Sequence, residues 1–229
     1  EGVEVLSRWI RDGKMVPAYQ FIDILKRIRY IEKVDQNLIN NLQSDYLKIN
    51  QEFDNQIDLY FAINLSAEIL KMFEYDYERF DKFVENNKIP KNKLVFEISE
   101  DINLGVISEE TLSYITEKGY DLAIDDFGSG VSKLTDVLSG KLQSIKTDKG
   151  MLPLCKKDTK NVKAFSTIIK AVNTSGSKVC VEGVETTEQL EIIIKAGSTS
   201  AQGYLFAKPL SYDELIDFIR TFDFDKYQK

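Results

Sequence analysis

Seven short segments with strand-like composition recur along the chain, and helical patterns separate most of them. The segments span residues 2–9, 58–65, 93–99, 121–126, 142–148, 178–184 and 201–206. This alternation is typical of repeated β/α units, whose strands form a largely parallel sheet. Because a closed barrel of this type has eight strands, the pattern predicts an α/β fold of the (β/α)8 TIM type with its first strand missing.

The chain begins at Glu1 without a methionine, so we expect the eighth strand to lie upstream of that residue. Residues 1–229 then form one domain that is truncated at its N-terminal strand, although length alone would also allow two domains. The alternative architecture is an open doubly wound sheet. No glycine-rich dinucleotide loop follows an early strand, which favours the barrel.

Charge and the lack of histidine limit the chemistry that this chain can perform. Its net charge of −7 and pI near 4.9 argue against binding of polymeric DNA or RNA, which requires many basic contacts to phosphate. A small anionic ligand is still allowed if a bound metal reverses the local field. Without histidine, catalysis must use carboxylates, lysine, tyrosine or a metal ion.

Cysteine usage and hydropathy indicate the cellular compartment. Cys155 and Cys180 form neither a CxxC motif nor a disulfide framework, which is typical of a reduced cytoplasmic protein. No uninterrupted apolar run is long enough to span a bilayer. We therefore expect a cytoplasmic protein without a membrane span in this chain.

Asp125 and Asp126 stand side by side where the strand 121–126 runs into the glycine turn 127–130. Adjacent carboxylates repel each other and resist desolvation unless solvent or a cation compensates them. Turn chemistry alone also explains the sequence Asp-Phe-Gly-Ser-Gly, since Asp and Gly are common in turns. This segment by itself therefore leaves two interpretations, a solvated turn or a metal site.

Polar residues near the carboxyl ends of the strands would meet on one rim of a barrel, where active sites of this architecture lie. Nine residues belong to this set: Glu4, Asn64, Glu97, Asp125, Asp126, Lys146, Asp148, Glu182 and Gln202. Most are acids, and such a cluster would repel itself without cations. Carboxylates and an amide are ligands that Mg²⁺ and Mn²⁺ prefer. A shared Asp125 beside Asp126 suits a two-metal centre that cleaves phosphodiesters.

Seven motifs follow one another along the chain: Glu4-Val5-Leu6-Ser7-Arg8-Trp9, Ile63-Asn64-Leu65-Ser66, Glu97-Ile98-Ser99-Glu100, Asp125-Asp126-Phe127-Gly128-Ser129-Gly130, Ile145-Lys146-Thr147-Asp148, Glu182-Gly183-Val184-Glu185-Thr186 and Gln202-Gly203-Tyr204. In this order and at these spacings they resemble the EAL-domain cyclic di-GMP phosphodiesterases. Val5 stands where the signature has Ala. Each motif alone is a weak signal, but seven in order are highly specific and cover essentially the whole chain.

The resemblance implies the EAL fold, a modified β/α barrel whose first strand is antiparallel to the others and is the strand that this chain lacks. It also implies hydrolysis of cyclic di-GMP to linear 5′-pGpG at a two-metal site that holds Mg²⁺ or Mn²⁺. Besides cyclic di-GMP, the implied partners are a second copy in a homodimer and an upstream sensor or signalling domain.

Site roles follow from the same resemblance, position by position. The first metal would be held by Glu4, Asn64, Glu97 and Asp125, and the second by Asp125, Asp126 and Glu182. Lys146 would hold the attacking water, Glu182 is also the candidate general base, and Glu100 would support the loop after Asp126. Arg8 would clamp a phosphate. The other residues expected at the substrate or the rim are Leu6, Asp148, Glu185 and Gln202.

The chain departs from the family pattern at two places. Ser129-Gly130-Val131-Ser132-Lys133 stands where the family has Thr-Gly-Tyr-Ser-Ser, and Thr147 replaces an aliphatic residue. In the family this loop couples the site to dimer contacts. Since Ser129 keeps a hydroxyl group, we expect the metal site to be retained, and the loop's regulation and the dimer to be affected most.

Two other functions compete with this hypothesis. A silent EAL domain would bind cyclic di-GMP or a protein without turnover, but a pure receptor does not need Lys146 and Glu182 together with both aspartates. A β/α-barrel lyase or isomerase would use carboxylate-bound Mg²⁺ and a lysine base to stabilise an enolate. The paired aspartates and the Arg8 clamp favour phosphate chemistry.

Overall fold

The computed structural model describes residues 1–99, 107–129, 142–155 and 158–227. Its strands are β1 Gly2–Val5, β2 Trp9–Arg11, β3 Lys14–Val16, β4 Tyr60–Leu65, β5 Leu94–Ser99, β6 Asp121–Phe127, β7 Ser144–Thr147, β8 Lys178–Val181 and β9 Ser200–Ala201. The helices are α1 Ala18–Arg27, α2 Ile31–Glu52, α3 Ala67–Tyr75, α4 Tyr77–Glu85, α5 Glu109–Glu117, α6 Met151–Cys155, α7 Thr159–Thr174, α8 Thr187–Ala196 and α9 Tyr212–Thr221. None of these helices is long and apolar enough to cross a membrane.

Seven strands form one sheet in the order β1-β4-β5-β6-β7-β8-β9, and all neighbours are parallel. This confirms the predicted α/β fold. The strand order follows the chain without reversal, whereas a doubly wound sheet reverses at a switch point. The sheet also curls, which brings its two edges together. Gln202, just beyond β9, donates a hydrogen bond to Glu4 on β1, with 2.6 Å between Nε2 and Oε2.

The outer face of the sheet packs against the helices and forms the main core. On β5, Leu94, Phe96 and Ile98 are almost completely buried on this face. The ring of Phe80 on α4 meets Phe96 edge-on, with 5.9 Å between ring centroids. Strands buried on both faces are expected in a parallel sheet, which explains their nearly continuous apolar sequences.

The inner face of the sheet carries small residues below the predicted site. A separate buried cluster on three adjacent strands consists of Ala62, Val95 and Ala123. Side chains alternate between the faces of a strand, so residues two positions further along share the inner face. Those residues are Asn64, Glu97 and Asp125. The site therefore stands at the carboxyl end of the inner face, as expected for this architecture.

The first predicted strand is wrong in its extent. Residues 2–9 are predicted as one strand segment, but β1 ends at Val5 and a hairpin of β2 and β3 follows. Asp12 and Gly13 have φ angles of 51° and 71°, which suit a tight hairpin turn. Asp-Gly between two short segments that contain apolar residues, Trp9–Arg11 and Lys14–Val16, is the signal that predicts this hairpin.

Other element boundaries also differ from the prediction. The strand predicted at 201–206 ends at Ala201, and Gly203 accepts a backbone hydrogen bond from Phe206 in a turn. The strand predicted at 178–184 ends at Val181. The sequence pattern predicts one helix between the strands 58–65 and 93–99, but this helix is divided, because the carboxylate of Asp76 caps the amide of Glu78 and starts α4. The pattern also predicts a short helix at 133–138, which lies outside the described residues.

Candidate functional site

Neighbouring strands bring the predicted metal ligands together through their register. Asn64 and Glu97 are direct partners on β4 and β5, and Asp125 on β6 is the partner of Ser99. Asn64 Nδ2 donates to Glu4 Oε1 across 3.3 Å, a contact between β4 and β1, although the backbone partner of Glu4 is Ala62. The apolar strand sequences thus fix where each polar side chain leaves the inner face.

Lys146 on β7 lies at the centre of the site. Its Nζ is 2.8 Å from Glu182 Oε1, 3.0 Å from Glu97 Oε1, 3.2 Å from Glu4 Oε2 and 3.3 Å from Asp125 Oδ1. The lysine side chain is only 6% exposed. Four carboxylates from four strands or strand ends therefore surround one buried ammonium group.

The acids form two groups whose oxygens are close enough to share a metal ion. The first acid group is Glu4, Glu97 and Asp125, and the second acid group is Asp125, Asp126 and Glu182. Within each group, one oxygen of every residue lies within 4.8 Å of the others. Asp125 belongs to both groups, which is the arrangement that the sequence predicted for a bridging ligand.

The second acid group depends on irregular backbone. The register between β6 and β7 shifts between Ile124 and Phe127, and Asp126 has a φ angle of 56°. In a regular strand, Asp126 would point to the opposite face from Asp125. The irregularity turns the backbone so that Asp126 N donates to Asp125 Oδ1 at 3.0 Å and both carboxylates lie on the site side.

Burial and charge alter the pKa values of the site acids in different directions. Burial raises the pKa of Glu97 to about 8, although Lys146 acts to lower it. Burial also raises the pKa of Glu182, and it raises the pKa of Asp126 together with repulsion from Asp125. For Glu4, Lys146 and hydrogen bonds including that from Gln202 outweigh burial, so its pKa is lowered.

Burial and charge act on the pKa of Lys146 in the opposite sense. Burial acts to lower the pKa of Lys146, but Glu97, Glu4, Asp125 and Glu182 outweigh burial and raise it. The ammonium group therefore stays protonated in the physiological range and neutralises part of the acidic charge.

The predicted rim residues differ in their contacts and in their exposure to solvent. Gln202 is bonded to Glu4 and belongs to the cluster. Asp148 Oδ1 accepts from Gly150 N at 2.8 Å and so holds the turn after β7. Leu6 and Glu185 are exposed. Arg8 is exposed in the connection after β1, and its Nη1 donates to the carbonyl oxygen of Ser7. Glu100 lies outside the described residues.

Sequence reasoning missed a supporting carboxylate behind the site. Asp35 on α2 accepts a hydrogen bond from Ser66 Oγ at 3.2 Å, and Ser66 caps the amide of Ile69 at the start of α3. Burial raises the pKa of Asp35 to about 7. Asn64 is two residues before Ser66, so this contact holds the backbone that follows a predicted ligand. A lone acid in a helical pattern gives no signal of such a contact.

The donor set fits a divalent metal of the Mg²⁺ or Mn²⁺ type. Each acid group offers carboxylate oxygens only, and the amide oxygen of Asn64 is available beside Glu4. Hard cations prefer such oxygen ligands. The chain has no histidine, and the thiol pKa of Cys180 on β8 is raised by burial to about 11, so a thiolate ligand is disfavoured.

Comparison with known proteins assigns a family to this arrangement. The sequence profile of the EAL domain matches residues 1–209. Cyclic di-GMP phosphodiesterase RocR of Pseudomonas aeruginosa is 27% identical over 220 residues, which are 95% of this chain and 55% of RocR. Probable cyclic di-GMP phosphodiesterase PdeG of Escherichia coli is 28% identical over 224 residues, which are 95% of this chain and 43% of PdeG.

A solved structure agrees with these relatives. The EAL enzyme Bd1971 in its cAMP- and cyclic-di-GMP-bound form superposes with a TM-score of 0.85 and 25% identity, over 95% of this chain and 60% of that protein. This similarity confirms the predicted barrel-like EAL fold. The chain spans only about half the length of the curated relatives named above.

Proposed function

Because the chain belongs to the EAL domain family, we propose that it hydrolyses cyclic di-GMP to linear 5′-pGpG with two Mg²⁺ or Mn²⁺ ions. The observation that carries the proposal is the pair of acid groups that share Asp125 around the buried Lys146. RocR and PdeG bear names that state this phosphodiesterase activity. A receptor that binds the anion without metal ions would need an excess of basic side chains, whereas this site has one lysine among five acids.

The proposed metal ligands are those that the two acid groups bring together. Glu4, Asn64, Glu97 and Asp125 would hold one ion, and Asp125, Asp126 and Glu182 would hold the other. When bound, the ions would neutralise phosphate charge and lower the pKa of a water molecule. This charge is needed, because the free site is acidic and would repel a cyclic dinucleotide.

The chain's own side chains then have separate tasks. Glu182, whose pKa is raised by burial, is the proposed general base and lies 2.8 Å from Lys146. Lys146 orients the attacking water and offsets negative charge on the phosphate. Arg8, exposed at the rim, is the proposed phosphate clamp, and its guanidinium must turn away from the Ser7 carbonyl to act. Leu6, Asp148, Glu185 and Gln202 are proposed to line or support the substrate cleft.

Several further parts of the proposal extend beyond the described residues. Glu100 is proposed to support the loop after Asp126. The segment 129–133 is proposed to alter the family's dimer contacts, and an upstream signalling domain to supply regulation. We also propose that residues 1–229 belong to a single EAL domain. A cytoplasmic location is proposed from cysteine usage, since Cys155 and Cys180 form no CxxC motif.

A direct assay tests this function. The protein is incubated with cyclic di-GMP and Mn²⁺, with and without excess chelator, and the products are separated by anion-exchange chromatography. We expect pGpG to accumulate with Mn²⁺ and not with chelator. Binding of cyclic di-GMP without product would instead identify a silent receptor, and neither binding nor product would favour the lyase alternative.

A further inference from the structure

The ammonium group of Lys146 lies where the first metal ion is proposed to bind. Three of its four carboxylate neighbours, Glu4, Glu97 and Asp125, are the whole first acid group. Their oxygens approach Nζ to between 3.0 and 3.3 Å. The lysine therefore neutralises part of the negative charge of these three acids.

A divalent ion and this ammonium group would compete for the same three carboxylates. Mg²⁺ requires oxygen ligands at about 2.0–2.1 Å, closer than an ammonium group approaches. An ion bound between these three oxygens would also stand within a few ångströms of Nζ, and two positive charges at this separation repel strongly in a buried site. We therefore expect metal binding to displace the ammonium from the centre of the first acid group.

The remaining contact gives the lysine a place to move. Glu182 makes the shortest of the four ion pairs, 2.8 Å, and it belongs to the second acid group rather than to the first. Lys146 enters from β7, which lies between β6 and β8 in the sheet, and Glu182 follows β8 directly. A small rotation of its side chain towards Glu182 would free the oxygens of Glu4 and Glu97.

From this geometry we propose that Lys146 is an internal counter-ion that competes with the first divalent ion for the first acid group. It holds the acids together when metal is scarce and lowers the affinity of the site for the first ion. The proposal rests on the proposed function, because it takes Glu4, Glu97 and Asp125 as metal ligands. Lys146 thereby sets the metal concentration at which the enzyme becomes active.

The test is metal affinity without substrate, which does not depend on turnover. Mn²⁺ binding to the wild-type chain and to Lys146→Met is followed by electron paramagnetic resonance of free Mn²⁺ and by titration calorimetry. We expect Lys146→Met to bind its first Mn²⁺ about tenfold tighter or more, a gain of about 1.4 kcal/mol, although it should no longer form pGpG.

Lys149→Met is the matched control. Lys149 is exposed just after β7, and its charge acts on Asp126 of the second acid group, so this change removes the same charge outside the first acid group. We expect its Mn²⁺ affinity to stay within about threefold of the wild type, since exposed charges are screened by solvent and salt. If Lys149→Met tightened binding as much as Lys146→Met, general charge would explain the effect and the counter-ion role would be wrong.

Protein stability provides a second measurement. In chelator, Lys146→Met should unfold at a lower temperature than the wild type, because its acids lose their cation, and Mn²⁺ should raise its melting temperature by more. Lys146→Gln, which keeps polar hydrogen bonding, serves if the methionine variant does not fold. Equal or weaker Mn²⁺ binding by the foldable variant would overturn the proposal. If the wild type binds no Mn²⁺, the proposed function fails as well; if it binds Mn²⁺ and forms pGpG, only the counter-ion role fails.

Discussion

The two acid groups differ in how the backbone builds them. Glu4 and Glu97 lie on regular parallel strands whose register fixes their positions. In the second group, Asp126 depends on a register shift and a left-handed φ angle, and Glu182 lies just beyond the end of β8. Many hydrogen bonds and packed side chains hold the first group, whereas a few backbone conformations hold the second.

Charge compensation separates the two groups in the same way. Glu97 is only 2% exposed, and the first group obtains its positive charge from Lys146. Asp126 is half-buried, and its pKa is raised by burial and by Asp125 and Asp148. The first group is thus pre-assembled without metal, while the second carries repulsion that a cation would relieve. We expect changes in the second group to affect metal binding with less effect on the fold.

The largest effect should come from removing the carboxylate that both groups share. Asp125→Asn should reduce the rate of pGpG formation about 10³-fold or more, because ligand charge is lost for both ions. Initial rates by chromatography measure this. Asp121→Asn, at the other end of β6, is the control and should stay within about twofold of the wild type. Normal turnover by Asp125→Asn would contradict the shared-ligand assignment.

Changing one acid in each group separates their roles. Glu4→Gln and Asp126→Asn should each reduce pGpG formation about 10²-fold, and each should weaken the binding of one Mn²⁺ rather than both. Both changes remove charge and nearly preserve shape. Undiminished pGpG production by either variant would show that its group does not take part in catalysis. Equilibrium dialysis with Mn²⁺ gives the number of ions bound.

The free energy of unfolding should depend on pH through Asp35, which lies behind the first acid group. The pKa of Asp35 is raised from 3.8 to about 7 in the folded chain. Between these pH values the folded state holds a proton that the unfolded state has released, so the free energy of unfolding should fall as pH rises from 4 to 7 and level off above 7.

Replacing Asp35 by a neutral residue removes the free-energy cost of burying its charge. Asp35→Asn should be more stable than the wild type at pH 8 by about 2 kcal/mol, a value that allows for partial exposure of the group. The two proteins should be nearly equal at pH 4. Urea unfolding at several pH values measures the difference, and Glu191→Gln on the exposed side of α8 is the control. A pH-independent difference would show that Asp35 does not hold its proton.

The smallest expected effect tests the irregular backbone of the second group. Asp126→Ala should be about 1 kcal/mol less stable than Asp126→Asn, since Asn adopts positive φ more readily than Ala. Thermal unfolding in chelator measures this difference without metal. Equal stability of the two variants would indicate that the left-handed conformation is not required in the folded chain.

The first acid group, with its neighbour Asn64, was more predictable from sequence than the second acid group. Glu97 in an apolar strand and Asn64 at a strand end indicate an inner polar rim, because alternation decides which side chains share a face. The prediction that Arg8 lies on one strand with Glu4 is wrong. The alternating sequence pattern continues to residue 9, but β1 ends at Val5 and a hairpin follows. The Asp12-Gly13 pair is the sequence signal that indicates the hairpin turn.

Contacts between distant segments could not be predicted from local patterns. Strand ends indicate that Lys146 and the acids meet on one rim, but they give no distances, so the ammonium at the centre of four carboxylates was not foreseen. Gln202 was expected on the rim, but its bond to Glu4 depends on how far the sheet curls. Asp35 and Ser66 lie on elements that meet only through helix packing.

The count and coupling of bound Mn²⁺ test the central claim most directly. Electron paramagnetic resonance of the wild-type chain at saturating Mn²⁺ should show two bound ions whose spins interact, because Asp125 bridges them. Asp125→Asn should lose the interaction. A single bound ion, or two ions without spin interaction in the wild type, would contradict the shared two-metal centre.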